Sequence, residues 1–185
     1  YPVQYICSEY VCHELYKIEQ ELKEKDWKSL IFQILHALFC IQYYFKMNHN
    51  DLHTSNIMYT KTKKKFIYYT FENKIFKVPT YNKIFKIIDF GRATFEFNKL
   101  YIPNTIFDKN GDAENHFIFP TINNTKQKSY FYPTNCSDFS ILASSILKDS
   151  RLQHGDLYDL LVKCVTSTDN IYLLNKFENL NLYIE

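Results

Sequence analysis

Glycine is scarce in this sequence: three glycines occur among 185 residues, and they lie too far apart to form a glycine-rich loop. The pattern Gly-x-Gly-x-x-Gly is therefore missing, which excludes a phosphate-binding loop of that kind from this chain. Apolar runs are short as well. None approaches the roughly 18 residues that a membrane-spanning helix requires, and no signal-like segment opens the chain, so we expect no membrane partner.

Cysteine pairs are also lacking, because the five cysteines are odd in number and none forms a Cys-x-x-Cys motif. This pattern argues against a disulfide framework and against a structural zinc site. A reducing compartment fits this cysteine usage. We therefore expect an intracellular protein of the cytoplasm or nucleus.

The excess of one charge sign over the other is small, since 22 Lys and Arg residues face 20 Asp and Glu residues and the formal net charge is +2. The densest basic cluster consists of Lys61 and the three lysines at 63–65, which we interpret as a solvated hairpin tip. A nucleic-acid partner would demand a broader basic surface. We therefore predict no direct binding to nucleic acid.

Aromatic side chains are abundant, with 16 Tyr and 16 Phe in a sequence that is 46% hydrophobic. A chain of 185 residues is long enough to bury one well-packed core, and no linker-like segment divides it. We therefore expect a single domain with an aromatic core.

Two short motifs indicate the chemistry. The first covers residues 49–56, reads His-Asn-Asp-Leu-His-Thr-Ser-Asn, and follows a long helical pattern for which Asp26 is the expected N-cap. The second is Asp89-Phe90-Gly91, which follows the β-branched and aromatic run at 84–88. That run predicts a buried strand. Each motif thus stands at the end of a regular element.

Together the motifs resemble the catalytic loop and the metal-binding triplet of protein kinases. The resemblance implies that Asp51 is the base that receives the proton of the attacking hydroxyl. It also implies that Asn56 and Asp89 bind Mg²⁺ and that ATP is the phosphate donor. His53 and Asn56 join Asp51 in the predicted set of catalytic residues.

The resemblance is closer to some kinases than to others. Residues 51–53, Asp-Leu-His, are similar to the loop of haspin-type kinases and of small-molecule phosphotransferases such as aminoglycoside and choline kinases. Residues 66–70 and 77–80 resemble extra strands that haspin inserts before the metal-binding triplet. Kinases of large DNA viruses also resemble this run. We expect a haspin-like serine/threonine kinase, located in a host cell or virion if the protein is viral.

Residues 8–11 resemble a kinase hinge. The resemblance implies that the backbone of Glu9 and Val11 binds adenine, that Met58 lies beneath the adenine ring, and that Ser8 is the gatekeeper. An ordinary edge strand is the alternative, because residues 3–10 have strand character.

Residues 137–143 resemble the start of the central helix of the kinase large lobe. The resemblance implies that Asp138 accepts hydrogen bonds from the catalytic-loop backbone. A surface helix with a polar cap explains the same segment almost as well. Two short closing helices are expected near residues 157–164 and 173–180.

Several positions depart from the pattern of most protein kinases. Asn50 replaces the arginine that pairs with a phosphorylated activation loop, so we do not expect loop phosphorylation to be the main switch. Ala-Pro-Glu does not follow Asp89. Arg92 is expected to contact a phosphate, a loop carbonyl or a surface carboxylate. Residues 108–114 are interpreted as an acidic turn, because the glycine position does not match a calcium loop.

The predicted fold is α+β and kinase-like. It consists of the hinge and a mainly helical large lobe, with a small β-hairpin inserted between the catalytic loop and Asp89. Residues 1–185 are interpreted as a partial kinase domain, because the glycine-rich strand and the lysine of the small lobe are missing. We expect the small lobe upstream in the same natural chain, and we expect the present residues alone to be inactive.

Three functions stay open at this point. The leading hypothesis is transfer of the ATP γ-phosphate to a serine or threonine hydroxyl of a protein substrate. Asn50 and His53 favour a small-molecule phosphotransferase instead. The missing small lobe favours a pseudokinase or a binding module made of this lobe alone.

Overall fold

The computed structural model of the protein describes residues 9–71, 73–102, 104–114, 136–149 and 151–165. These residues form a mixed α+β fold, which confirms the predicted class. The helices are α1 (Glu24–Phe45), α2 (Ser137–Asp149) and α3 (Asp156–Val165). The strands are β1 (His13–Glu14), β2 (Ile57–Lys61), β3 (Phe66–Phe71), β4 (Lys74–Pro79), β5 (Lys83–Ile87), β6 (Phe95–Phe97) and β7 (Leu100–Ile102).

Helix α1 places the first motif. The predicted helix is confirmed, but its predicted N-cap is wrong, because Lys23 is the N-cap and Asp26 lies in the first turn. There the Asp26 carboxylate accepts the backbone N–H of Lys23 at 3.3 Å, so the acid caps the helix from inside it. The helix ends where Lys46 adopts a left-handed conformation with φ 49°, and the chain then turns into the loop that carries Asp51.

The segment between the two motifs forms a long, bent antiparallel ribbon. The part next to the two motifs pairs β2 with β5. The part that continues to the turn pairs β3 with β4, which confirms the predicted hairpin insert. Residues 62–65 lie opposite residues 80–82, four against three, and this bulge shifts the register by one residue. The lysines of residues 61–65 lie at the bulge and not at the tip, so the predicted hairpin tip is wrong for this cluster.

The main core lies between the three helices and the sheet, whose strand order is β1-β2-β5. The expectation of an aromatic core is wrong for the described residues. Four of the buried apolar side chains are aromatic, and the rest are mostly aliphatic. Large rings are hard to bury completely, and most of them lie instead along α1 and the ribbon. The fully buried apolar side chains among the described residues are Leu15, Trp27, Leu30, Ile34, Leu52, Ile57, Leu142, Ala143, Ile146, Leu161 and Val165.

The remaining predictions about elements have mixed outcomes. Residues 9 and 10 belong to no strand, and residues 3–8 lie outside the described part of the chain. The first closing helix is confirmed as α3, whereas the one expected near 173–180 lies outside the described residues. Residues 108–114 form the expected turn. No helix among the described residues is long and apolar enough to cross a membrane.

Candidate active site

The two motifs meet because three backbone hydrogen bonds join their loops. Asn48 and Thr94 exchange N–H···O bonds of 2.9 and 3.0 Å in an isolated antiparallel bridge. The N–H of Ile88 donates to the carbonyl of Asn56 at 3.0 Å. The loop after α1 is therefore fastened on both sides of Asp51 to the segment that contains Asp89.

His49 fills the space between the loops. Its ring is fully buried, and Nε2 lies 2.8 Å from the carbonyl of Ile88. The N–H of Asp51 donates to His49 Nδ1 at 3.3 Å, which makes Nδ1 the acceptor and assigns the proton to Nε2. The ring centroid also lies 4.9 Å from that of Phe90. His49 is thus a neutral positioning residue beneath the site.

Asp138, at the start of α2, holds the same loop from the opposite side. Its carboxylate accepts the N–H of His49 at 2.8 Å and the N–H of Asn50 at 2.7 Å. This confirms the predicted contact between Asp138 and the loop backbone. Burial raises the pKa of the Asp138 carboxyl above its usual range, while the two N–H donors act in the opposite direction.

Asp51 is half-buried, and each side of its carboxylate has a neighbour. Oδ1 accepts a hydrogen bond from Arg92 Nη1 at 3.0 Å, and Oδ2 lies 3.8 Å from His53 Nε2. Asn56 Nδ2 donates to the Asp51 carbonyl at 2.8 Å and lies 3.5 Å from Oδ2. The three predicted catalytic residues therefore form one cluster, and Asn56 directs its amide nitrogen to Asp51.

Asp89 is exposed and has an unusual backbone. Its φ of 61° and ψ of 71° place it in the left-handed region, which costs free energy in residues other than glycine. Its Oδ1 accepts the N–H of Gly91 at 3.2 Å. A Cβ at position 91 would lie 3.0 Å from that same oxygen, so glycine leaves the carboxylate room. Conformations of this kind cluster at functional sites.

The segment after Asp89 is held by side-chain amides. Asn104 Nδ2 donates to the carbonyls of Gly91 and Ala93, at 2.7 and 3.2 Å. Asn50 Nδ2 donates to the carbonyl of Arg92 at 2.9 Å and to Thr94 Oγ1 at 3.0 Å. Sequence reasoning missed Asn104 and this role of Asn50, because a single asparagine in a loop carries no distinctive pattern.

Of the predicted adenine-binding residues, Met58 lies in the sheet, and Glu9 and Val11 lie in the segment before β1. Met58, on β2, is directly opposite Lys86 on β5, and Lys86 Nζ contacts the Glu9 carboxylate at 2.8 Å. Glu9 is exposed and Val11 is half-buried. Glu9 and Met58 are thus linked through Lys86, on the strand that leads to Asp89. The predicted gatekeeper, Ser8, lies outside the described residues.

The predicted magnesium ligands are one carboxylate and one amide. Among the described residues, His, Cys, Asp and Glu side chains form no group of three that could hold a metal ion. Magnesium at phosphotransfer sites typically uses one or two protein oxygens and completes its shell with phosphate and water. Asp89, with an exposed carboxylate, and Asn56, whose amide nitrogen is occupied at Asp51, fit that arrangement.

The chain matches no protein-family model and no curated protein. Function is therefore inferred from the residues and their geometry.

Proposed function

We propose that this chain is the large lobe of a protein kinase-like domain and that it takes part in ATP-dependent phosphorylation of serine or threonine hydroxyls in a protein substrate. One observation carries the proposal. The Asn56 side chain donates to the Asp51 carbonyl at 2.8 Å, and the Asn56 backbone carbonyl accepts the Ile88 N–H at 3.0 Å, so Asn56 connects the loop of the candidate base to the segment that carries Asp89. Those are the three groups that phosphotransfer needs near one another.

In this proposal Asp51 is the base. The hydroxyl oxygen of the acceptor forms the new bond to the γ-phosphorus, the bond from that phosphorus to the bridging oxygen breaks, and ADP leaves. The hydroxyl proton passes to the Asp51 carboxylate. Asn56 and Asp138 keep this carboxylate in place: Asn56 through the Asp51 carbonyl, and Asp138 through the preceding backbone N–H groups.

Asn56 and Asp89 would hold the magnesium ion, which neutralises charge on the phosphates when it is bound. The left-handed backbone of Asp89 turns its carboxylate away from a regular strand course, and Gly91 leaves space beside it. Glu9, Val11 and Met58 would form the adenine edge of the site, and His53 would lie at the acceptor side of Asp51. These roles follow from the resemblance.

Replacing the base tests the proposal. We expect Asp51→Asn to lower the rate of phosphate transfer at least about 100-fold, because an amide cannot receive the hydroxyl proton. The measurement is transfer of labelled γ-phosphate from ATP to protein and small-molecule acceptors, made with the natural gene product that contains this chain. Nucleotide affinity should not fall, since Asn56 and Asp89 are intact.

Asp108→Asn is the matched control, because Asp108 lies in an exposed turn away from the two motifs. This variant should transfer phosphate at the wild-type rate. Undiminished turnover by Asp51→Asn would remove the base assignment. Labelling of small molecules alone, with no labelled protein, would instead support a small-molecule phosphotransferase.

A further inference from the structure

The ion pair between Arg92 and Asp51 places a cation directly at the candidate base. Arg92 Nη1 lies 3.0 Å from Asp51 Oδ1, the oxygen on the side away from His53. Because Oδ1 accepts this hydrogen bond, the guanidinium occupies the space beside that oxygen. The proposed reaction therefore requires the pair to separate, so that an acceptor hydroxyl can approach Oδ1.

The backbone around Arg92 is held by hydrogen bonds, while its side chain is partly exposed and has one hydrogen-bond partner among the described residues. The carbonyls of residues 91, 92 and 93 are all hydrogen-bonded by the amides of Asn50 and Asn104. The Arg92 side chain is about one-third exposed, at 31%. Within the described part of the chain, its guanidinium makes a single hydrogen bond, the one to Asp51. The other N–H donors of the fork remain available to a ligand.

The position of Arg92 matches that of a phosphate ligand. It directly follows the proposed metal-binding triplet, and it reaches the proposed base, beside which the acceptor hydroxyl and the γ-phosphate must meet. Guanidinium groups bind phosphate with two parallel hydrogen bonds, whereas an exposed pair with a carboxylate contributes little to stability. A terminal phosphate therefore competes effectively with Asp51 for this side chain.

Building on the proposed function, we propose that Arg92 binds the terminal phosphate of the nucleoside triphosphate. When the triphosphate binds, the guanidinium turns from Asp51 to the γ-phosphate oxygens. This movement adds positive charge where charge develops during transfer, and it opens the Oδ1 side of Asp51 to the acceptor hydroxyl. Without a γ-phosphate, as with ADP, the guanidinium stays on Asp51. Arg92 thereby distinguishes a triphosphate from a diphosphate.

Equilibrium binding tests this role without relying on turnover. The natural gene product containing this chain is titrated, with magnesium, with ADP and with the non-hydrolysable β,γ-imido analogue of ATP. We expect Arg92→Gln to bind the analogue about tenfold more weakly, the loss expected for charge-assisted hydrogen bonds, and to bind ADP as the wild type does. Arg92→Lys should show a smaller loss, because it keeps the charge but not the two-pronged geometry.

The chain offers a matched control, because Arg151 is its other arginine. Arg151 is exposed, contacts Gln20 at 3.2 Å, and lies in a different segment, so Arg151→Gln should change neither affinity. Equal weakening of both nucleotides in Arg92→Gln, or no weakening, would overturn the role of Arg92 alone. A wild-type protein that binds neither nucleotide would overturn the proposed function itself.

Discussion

The single carboxylate of Asp138 binds two backbone N–H groups that lie 88 and 89 residues earlier in the chain. The two backbone N–H groups that it accepts belong to His49 and Asn50, and Asn50 has a φ of 66°. The side chain of Gln42, from the last turns of α1, also reaches this carboxylate. Asp138 therefore stabilises a loop conformation that the loop's own residues would not favour.

Asp138→Asn should destabilise the protein. The amide keeps the size of the side chain but presents an N–H₂ group where one backbone N–H now donates, so a buried donor loses its acceptor. We expect the free energy of unfolding to fall by about 1–3 kcal/mol. Chemical denaturation followed by circular dichroism measures this change.

The pH dependence supplies the control for this prediction. Because burial raises the Asp138 pKa in the folded state, the folded protein binds more protons than the unfolded chain between the ordinary pKa and the raised one. The contribution of Asp138 to stability is thus largest at acidic pH and declines as pH rises through that window. Asp138→Asn should lack this decline. Parallel wild-type and variant curves would contradict the assignment, and Asp112→Asn, at an exposed turn position, should match the wild type.

The contacts of Asn50 could not be predicted from its identity alone. The missing arginine predicted that loop phosphorylation is not the main switch, and that expectation remains a prediction. The sequence offered no sign that the Asn50 amide would bind the carbonyl of Arg92 and the hydroxyl of Thr94, more than 40 residues away. Contacts of that separation depend on how the two loops are placed, not on the residues beside Asn50.

At the scale of elements, Gln33 completes the edge of the sheet. β5 is the last strand of the order β1-β2-β5, so one side of its backbone has no strand partner within the described part of the chain. Gln33, buried on α1, accepts the Phe85 N–H at 3.0 Å and lies 3.4 Å from the Lys83 carbonyl, to which it donates. A helix side chain thereby takes the place of a neighbouring strand.

Gln33→Met should weaken the contact between α1 and β5. Methionine has a similar volume but cannot accept a hydrogen bond of comparable strength, so the buried Phe85 N–H loses its partner. We expect the free energy of unfolding to fall by about 1–3 kcal/mol. Hydrogen exchange of the Phe85 amide should accelerate, and two-dimensional NMR measures it directly.

Gln153→Met is the matched control, because Gln153 is exposed in the segment before α3. It should leave both stability and exchange at β5 unchanged. Wild-type exchange at Phe85 in Gln33→Met would show that the edge of β5 is protected in another way.

Elements themselves were easier to predict than their ends. The apolar period of α1 predicted a helix that the structure confirms. The β-branched run at 84–88 predicted a buried strand; the strand is present as β5, but only Phe85 in it is buried. Asp26 was a reasonable N-cap, since its side chain does accept a backbone N–H. Asp26 does so from the first turn of the helix, however, and not from the N-cap position. An acidic side chain can accept a backbone N–H from either position, and the local sequence does not distinguish the two.

At the scale of the whole molecule, the hairpin formed by β3 and β4 packs on α1 through aromatic rings. Phe32 lies 5.7 Å from Tyr69 and 5.3 Å from Phe76 between ring centroids, and Phe39 lies 4.6 Å from Phe71. These contacts run along α1 from Phe32 to Phe39. Many aromatic residues of the described chain are used in this partly exposed layer, while Trp27, Tyr59 and Phe85 belong to the main core.

Phe32→Ala should separate stability from function. The variant removes two ring contacts from a half-buried position, so we expect the free energy of unfolding to fall by about 1–3 kcal/mol, below the cost of a fully buried phenylalanine. Nucleotide affinity should not change, because the site loops are held by Asp138 and His49. Denaturation and nucleotide titration measure the two effects.

Tyr68→Ala is the paired control. Tyr68 is 63% exposed and lies on the face of the hairpin that points away from α1, so its removal should change stability little. A loss of nucleotide affinity in Phe32→Ala would show that the ribbon and the site are coupled, contrary to this expectation.

The sequence by itself determined α1 and the presence of an inserted hairpin, because periodicity and β-branching are local properties. Its two short motifs supplied the candidate catalytic groups through their resemblance to kinase loops. Only the tertiary structure decided that Asp138 would bind the loop at 49–50 and that Arg92 would bind Asp51. Both contacts join groups that are more than 40 residues apart. Such contacts form when helices and strands pack together, and a linear pattern does not encode which polar groups the packing brings within hydrogen-bond distance.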